Sequence, residues 1–296
     1  MRLCCIQTNG QSYGAIYKED LIFSLIEAID LLGDQAPKLD HLSVCDQILA
    51  VSINPGLINA IDAVLDRLTG VPQSSARYGI PVGGPVIGVG RNYQDHVSEG
   101  GLPTGQYPKL FFNHPNALAA HGDDIVIPRS VNKTDWEAEL GVLIGKPMRR
   151  VAPERALEYV AGYLNVNDVS AREFQFDFGP AQTSFAKSMD GFCPCGPWVV
   201  TPDEIPDCQN LNVRCTVNGQ TKQDGHTAYM IFNVAHILSH ISQFMTLEPG
   251  YLIATGTPDG VGHFMKPPQY LGDGDVVEVT VSGLGTLRNR FIKEHS

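Results

Sequence analysis

The sequence predicts an α+β chain, mostly β, with a small α/β unit at residues 1–77 and a larger β domain at residues 78–296. Three observations carry this. Short, branched, apolar runs bounded by glycine and proline recur between residues 85 and 283. The strand–helix alternation of a doubly wound parallel sheet is missing among them. The turn-rich stretch VPQSSARYGIPVGGP, residues 71–85, reads as a linker between the two parts.

In chain order, residues 2–7 and 13–17 read as strands and LINAIDAVLDRL, residues 57–68, as a helix. The strands of the larger part are PVIGVG, DIVIP, WEAELGVLIG, GYLNVNDVS, LNVRCTVNG, YLIATG and DVVEVTVSG. Two helices interrupt them. One opens with proline at Pro153 and runs to residue 160; the other is capped by Asn233, with Val234, Ile237, Leu238 and Ile241 at helical spacing.

Of the 296 residues, 43% are hydrophobic and 18% charged, enough to bury a sizeable core. The formal net charge of −11 is spread along the chain, which argues against nucleic-acid or anionic-membrane partners. A small anionic substrate would then need a bound cation or a local basic group. No apolar stretch approaches the roughly 20 residues that span a bilayer, and residues 1–14 lack the apolar core of a signal peptide. Seven cysteines, none in a CxxC pair, fit reduced thiols and a cytoplasmic location.

Strand alternation in WEAELGVLIG puts Glu137 and Glu139 on one face, with Trp136, Ala138, Leu140 and Val142 on the other. Two adjacent carboxylates repel unless a positive group lies between them, and a hard cation such as Mg²⁺, Mn²⁺ or Ca²⁺ suits oxygen ligands. A solvated strand face is the alternative for that segment alone. Asp168 adds a third carboxylate, on the same alternating face as Leu164 and Val166. Three carboxylates with positions left open for water and substrate make a catalytic arrangement. In IGVGRNYQDHVSEGG, His96 and Glu99 lie one helical turn apart, so the carboxylate can orient the imidazole as a base; Gly100, Gly101 and Gly105 follow, as in a loop able to move. A polar surface turn is the alternative there. Lys187 stands out as a cation among Phe, Ala, Met, Cys and Pro.

The strings GVGRNYQDH, TDWEAELGVLIGK, YVAGYLNVNDVSAREFQ, AKSMDGFCPCGPWVV and TGTPDGVG occur in the order and approximate spacing of the fumarylacetoacetate hydrolase superfamily, over residues 86–291. The chain most resembles the bacterial-type branch containing 2,4-dioxo-3-deoxy sugar-acid hydrolases, neighbours of acylpyruvases and oxaloacetate decarboxylases. The resemblance implies a mixed β-sandwich roll, a homodimer, and Glu137, Glu139 and Asp168 as metal ligands. It also implies that His96 and Glu99 activate water from a lid, that Lys187 and Gln175 stabilise an oxyanion, and that Thr257 holds the substrate carboxylate. Hydrolysis of a C–C bond in a 2,4-dioxo acid follows as the expected reaction, with decarboxylation of a 2-oxo acid or keto–enol isomerisation as rivals and non-catalytic acid binding as a different class. One departure stands out: Asn113, in FFNHPNAL, occupies a position where the family often has lysine.

Other signals are set aside. Ser12 completes a GxSxG string, but YGAIY after it reads as the second strand of a hairpin. His236 and His240 have zinc-pair spacing without the HExxH glutamate, Cys193 and Cys195 lack further thiolate partners, and Asp273 and Asp275 read as turn residues. Asn132 opens a glycosylation sequon that is silent in a cytosolic protein.

Overall fold

The computed structural model describes residues 1–33, 36–101, 103 and 105–294. Asn9 and Gly10, both at positive φ, turn strand Arg2–Thr8 back into strand Gln11–Lys18. This is the two-residue hairpin expected around Ser12, which itself pairs with Gln7. Strand Leu21–Ser24 continues the meander, and Ser24 caps the short helix Leu25–Asp30 by accepting from the Glu27 N–H.

Among the described residues a twelve-stranded sheet runs through the whole chain. From Arg2–Thr8 it passes through Cys193–Val200, Val160–Asn167, Ala138–Ile144, Leu252–Ala254 and Val86–Gly90 to Lys109–Asn113. Arg2 pairs with Val200 and Leu3 with Val199, so the first strand is hydrogen-bonded to the strand that follows Lys187. A second sheet of five strands contains Asn212–Val217, Val276–Val281 and Thr286–Lys293. One apolar cluster takes Leu140 and Val142 from the first sheet and Val213, Val279 and Leu287 from the second. The opposite face of the first sheet contributes Leu143, Leu164 and Val166 to another cluster, which also holds Leu25, Ile48 and Ile61 of the N-terminal helices. Strand Ala138–Ile144 is therefore buried on both faces along its whole length.

Several elements differ from the sequence-based expectation. Segment 71–85 contains strands Val71–Pro72 and Arg77–Gly79, the latter paired with Arg2–Thr8, so it is built into the sheet and does not behave as a free linker. Burying the Tyr78 ring against the core outweighs the turn-forming composition around it. The helix expected over residues 57–68 is instead Pro55–Asp62, capped by Asn54, followed by a 3₁₀ turn at Leu65–Arg67. Helix Val44–Ser52, capped by Ser43, was not anticipated. Helix Val234–Phe244 begins as expected, with Asn233 accepting from the His236 N–H. No single helix among the described residues is long and apolar enough to cross a membrane.

Candidate active site

Glu137 and Asp168 meet because strands Ala138–Ile144 and Val160–Asn167 are antiparallel, with Ala138 opposite Asn167. One residue precedes the first strand and the other follows the second. The Asp168 N–H donates to the Glu137 carbonyl at 2.9 Å, locking the two side by side. Glu139, two residues on, projects to the same face, and one oxygen from each of the three carboxylates lies within 4.8 Å of the others. All three side chains are buried.

Two buried cations hold this cluster. Lys187 Nζ donates to Glu137 Oε2 at 2.8 Å and to the Asp168 carbonyl at 3.2 Å, and also contacts Asp168 Oδ2. All three ammonium protons thus face the acids. Arg172 reaches Glu137 Oε1 at 2.8 Å through Nη2 and Asp135 Oδ2 at 2.7 Å through Nε. Asp135 is fully buried and also accepts main-chain N–H bonds from Trp136, Gly262 and His263.

The charge distribution decides what the cluster can hold. Arg172 pairs with Asp135 and Glu137, and Lys187 with Glu137 and Asp168, so the three clustered carboxylates crowd more acid than these two cations pair. Burial opposes ionisation of Glu137, but Lys187 and Arg172 overcome it and hold its carboxyl at about 2. Burial, with the Asp168 and Glu137 charges, pushes Glu139 well above the ordinary carboxylate range, and burial with Glu137 raises Asp168. Burial would lower Lys187, yet Asp168 and Glu137 win and raise it. Three buried hard oxygen donors within 4.8 Å of one another fit a divalent cation, whose charge would favour the ionised form of the acids that burial and mutual repulsion disfavour. The buried Asn113 Oδ1 has no hydrogen-bond partner among the described residues, while Asn113 Nδ2 donates to Asp168 Oδ1 at 3.1 Å. Asn113 thus offers a neutral donor and a spare acceptor beside the acids.

His96 lies on the short helix Gln94–Glu99, buried, with Nδ1 3.3 Å from Glu99 Oε1. A carboxylate only accepts, so a hydrogen bond between the two has Nδ1 as donor, and in the neutral tautomer this selects, Nε2 is the nitrogen free to act as a base. Phe264 packs against the imidazole with ring centroids 5.7 Å apart. Asn92, fully buried, anchors the start of this segment by donating to the carbonyls of Thr255 and Phe232.

His96, Glu137, Glu139, Gln175, Lys187 and Thr257 line one pocket, together with Arg91, Lys109, Phe111 and Phe176. Glu99 stands behind His96. Gln175 Oε1 accepts from Arg172 Nη1 at 2.7 Å, which leaves its amide N–H groups as donors. The Thr257 hydroxyl donates to the Ala138 carbonyl at 2.9 Å and accepts from Gln223 at 2.8 Å, so its single proton is already engaged. Gly256 has φ +101°, donates its N–H to Glu139 Oε2 at 2.8 Å, and would place a Cβ 2.7 Å from Asn92 Cβ. Sequence reasoning missed Asp135 and Arg172, although both lie inside strings quoted for other residues.

The signals set aside behave as expected of structural residues. Cys193 and Cys195 are buried in strand Cys193–Val200, where burial pushes both thiols up, and all seven cysteines are free. Asp275 accepts from the Gly272 N–H and from Asn218, and Asp273 from the Lys293 N–H, closing turns. His236 bonds its own cap, Asn233, and His240 stacks on Tyr107.

Comparison with known proteins agrees with this geometry. Residues 85–292 match the family described as fumarylacetoacetate (FAA) hydrolase, C-terminal. A 2,4-didehydro-3-deoxy-L-rhamnonate hydrolase from Sphingomonas sp. strain SKA58 is 46% identical over 221 residues, 74% of this chain and 77% of the relative. Fumarylacetoacetate hydrolase from the psychrophilic Exiguobacterium antarcticum superposes with a TM-score of 0.83 at 34% identity, covering 99% of this chain and 100% of that one. Maleylpyruvate hydrolase from Sphingobium sp. SYK-6, solved with manganese(II) and pyruvate, gives a TM-score of 0.80 at 27% identity with both chains fully covered. With the matched region spanning well over half of the sequence and carrying the acidic cluster, the chain belongs to the fumarylacetoacetate hydrolase family of enzymes.

Proposed function

We propose that the chain is a divalent-metal-dependent hydrolase that cleaves a C–C bond in a sugar-derived 2,4-dioxo acid, releasing pyruvate or another 2-oxo acid and a carboxylic acid. The observation that carries this reading is a cluster of three buried carboxylates, two of which, Glu137 and Glu139, line one pocket with an imidazole whose Nδ1 lies against a carboxylate. Mere binding needs no base. The sugar-acid hydrolase among the relatives supports the substrate class, and the manganese-bound neighbour supports the metal dependence.

Glu137, Glu139 and Asp168 would hold the ion. A bound divalent cation supplies Lewis acidity to the substrate's carboxylate and 2-oxo oxygens, lowering the energy of the enolate that must form. His96 Nε2 takes a proton from water, and the hydroxide attacks the C4 carbonyl. Gln175 donates to the developing oxyanion, as a donor of this kind contributing about 3 kcal/mol of barrier lowering, while Lys187 adds positive potential beside it. The C3–C4 bond then breaks. C4 leaves as the carboxylic acid, and the three-carbon enolate takes a proton at C3 to become the 2-oxo acid. Arg91 and Lys109, on the pocket wall, favour an anionic substrate despite the negative net charge of the chain.

The same reading takes residues 1–77 as a small unit against the catalytic domain and the assembly as a homodimer. The exposed rings of Phe112, Phe178 and Phe185, each within two residues of a pocket-lining position, support the dimer. The deciding experiment incubates purified protein and Mg²⁺ or Mn²⁺ with acylpyruvates, sugar-derived dioxo acids and oxaloacetate. Loss of the enol absorbance with stoichiometric 2-oxo acid is the expected result. Enol loss without a new acid would mean isomerisation, and turnover of oxaloacetate alone would mean decarboxylation; either overturns the hydrolytic reading.

A further inference from the structure

The segment that leaves strand Leu252–Ala254 is fastened along the ligand-bearing strand. Thr255 bonds the Leu140 carbonyl through both its N–H and its hydroxyl, Gly256 bonds Glu139, and Thr257 bonds the Ala138 carbonyl. Farther on, Trp136 Nε1 donates to the Gly260 carbonyl at 3.1 Å, and the Gly262 and His263 N–H groups donate to Asp135 at 2.8 and 2.9 Å. The helix bearing His96 meets this segment at two points. The Gly260 N–H donates to Glu99 Oε2 at 3.0 Å, and the Phe264 ring packs on the imidazole.

Glu99 thus has both oxygens committed, Oε1 to His96 and Oε2 to Gly260. Gly260 is in turn held from its other side by the Trp136 indole, which is 1% exposed and directly precedes the ligand Glu137. Only glycine suits the place: φ is +91°, and a Cβ would lie 2.1 Å from the Lys222 carbonyl oxygen.

We propose that Gly260, fixed by Trp136, is a positioning residue for the general base: its N–H sets the Glu99 carboxylate, and through it the His96 tautomer and ring orientation. The peptide groups flanking Gly260 tie the helix of the base to the strand of the metal ligands. This rests on the reading of His96 as the base. A carboxylate freed from Gly260 gains rotamers that no longer meet Nδ1, and a misplacement of about 1 Å in such a pair costs on the order of a hundredfold in rate.

The test uses Trp136→Phe, which keeps an aromatic ring and removes the donor together with the second ring of the indole, and Gly260→Ala, each made in the wild type and in a Glu99→Ala background. Hydrolysis of a 2,4-dioxo acid gives kcat and KM, and calorimetric titration with Mn²⁺ gives metal affinity. Trp136→Phe should lower kcat about tenfold and Gly260→Ala more, with KM and Mn²⁺ affinity within about twofold of wild type. In the Glu99→Ala background neither change should lower the residual rate further, because the path runs through Glu99. Equal losses in both backgrounds, an unchanged kcat, or a parallel fall in Mn²⁺ affinity overturns the proposal. If Gly260→Ala does not fold, Trp136→Phe still decides. A wild type that hydrolyses no dioxo acid, or a fully active Glu99→Ala enzyme, would instead defeat the underlying assignment of the base.

Discussion

Replacing Lys187 with methionine should separate stability from metal binding. The side chain is 2% exposed, and its ammonium bonds Glu137 Oε2, the Asp168 carbonyl and Asp168 Oδ2. Methionine has a similar length and no charge, so packing is largely kept while Asp168 loses its cation and Glu137 keeps only Arg172. Breaking a buried pair in this way costs about 3–5 kcal/mol. For 296 residues the unfolding entropy is roughly 0.6 kcal/mol per kelvin, which converts the loss into a Tm drop of about 5–8 °C in chelator. Divalent cation should reverse the order of effects. The ammonium and a bound cation draw on the same carboxylates, so removing Lys187 removes a competitor, and Mn²⁺ should raise the Tm of the variant more than that of wild type. A ligand at a hundred times its Kd adds about 2.7 kcal/mol, or roughly 4 °C here, which sets the scale of the wild-type shift. The assay is differential scanning calorimetry with chelator and along a Mn²⁺ series. A variant as stable as wild type without metal, or one stabilised less by Mn²⁺, would refute the view that lysine and metal share these oxygens.

Three further outcomes follow from the same structure. His96→Ala should lower kcat by about 10²–10⁴ while keeping the Mn²⁺-induced Tm shift, since the imidazole is placed to move a proton and the carboxylates to hold the ion; steady-state rates and calorimetry check this. Asp135→Ala removes one of the two carboxylate partners of buried Arg172 and leaves three main-chain N–H groups without this acceptor, and should cost about 3–5 kcal/mol in urea unfolding, with Asp135→Asn milder because one acceptor oxygen survives. Burial and the Arg288 charge lower the pKa of His121, whose Nδ1 accepts the Arg288 N–H at 3.1 Å. Its contribution is complete above the unfolded value of 6.5 and is lost as pH falls below it, because the unfolded chain takes the proton first. The stability advantage of wild type over His121→Asn, measured by urea unfolding, should therefore shrink between pH 7 and 5.

What the sequence revealed and what it concealed divide along one physical line. Alternation on a strand is local, so the facing of Glu137 and Glu139 was legible from WEAEL alone, as was the helical spacing of His96 and Glu99. Turn chemistry is local too, and the hairpin at Asn9 and Gly10 followed from it. Strand Cys193–Val200 was hidden because Pro194, Gly196 and Pro197 argue against a central strand, yet Gly196 sits at φ +120° and the pairing with Val160–Asn167 shifts register beside it. The Ser43 cap before Asp46 was a visible signal for helix Val44–Ser52 that a weakly patterned apolar run obscured. Asp135 and Arg172 could not be read as a pair, because 37 positions separate them and only the two-stranded pairing of Thr134–Asp135 with Ser170–Ala171 brings them together. That pairing matters for function as much as for stability. With Arg172 divided between Asp135 and Glu137, and Lys187 between Glu137 and Asp168, Glu139 forms no ion pair among the described residues. The net charge of −11 belongs to the whole chain and says nothing about this site; the crowding of three buried carboxylate oxygens, which suits a hard divalent cation, exists only once the strands have paired.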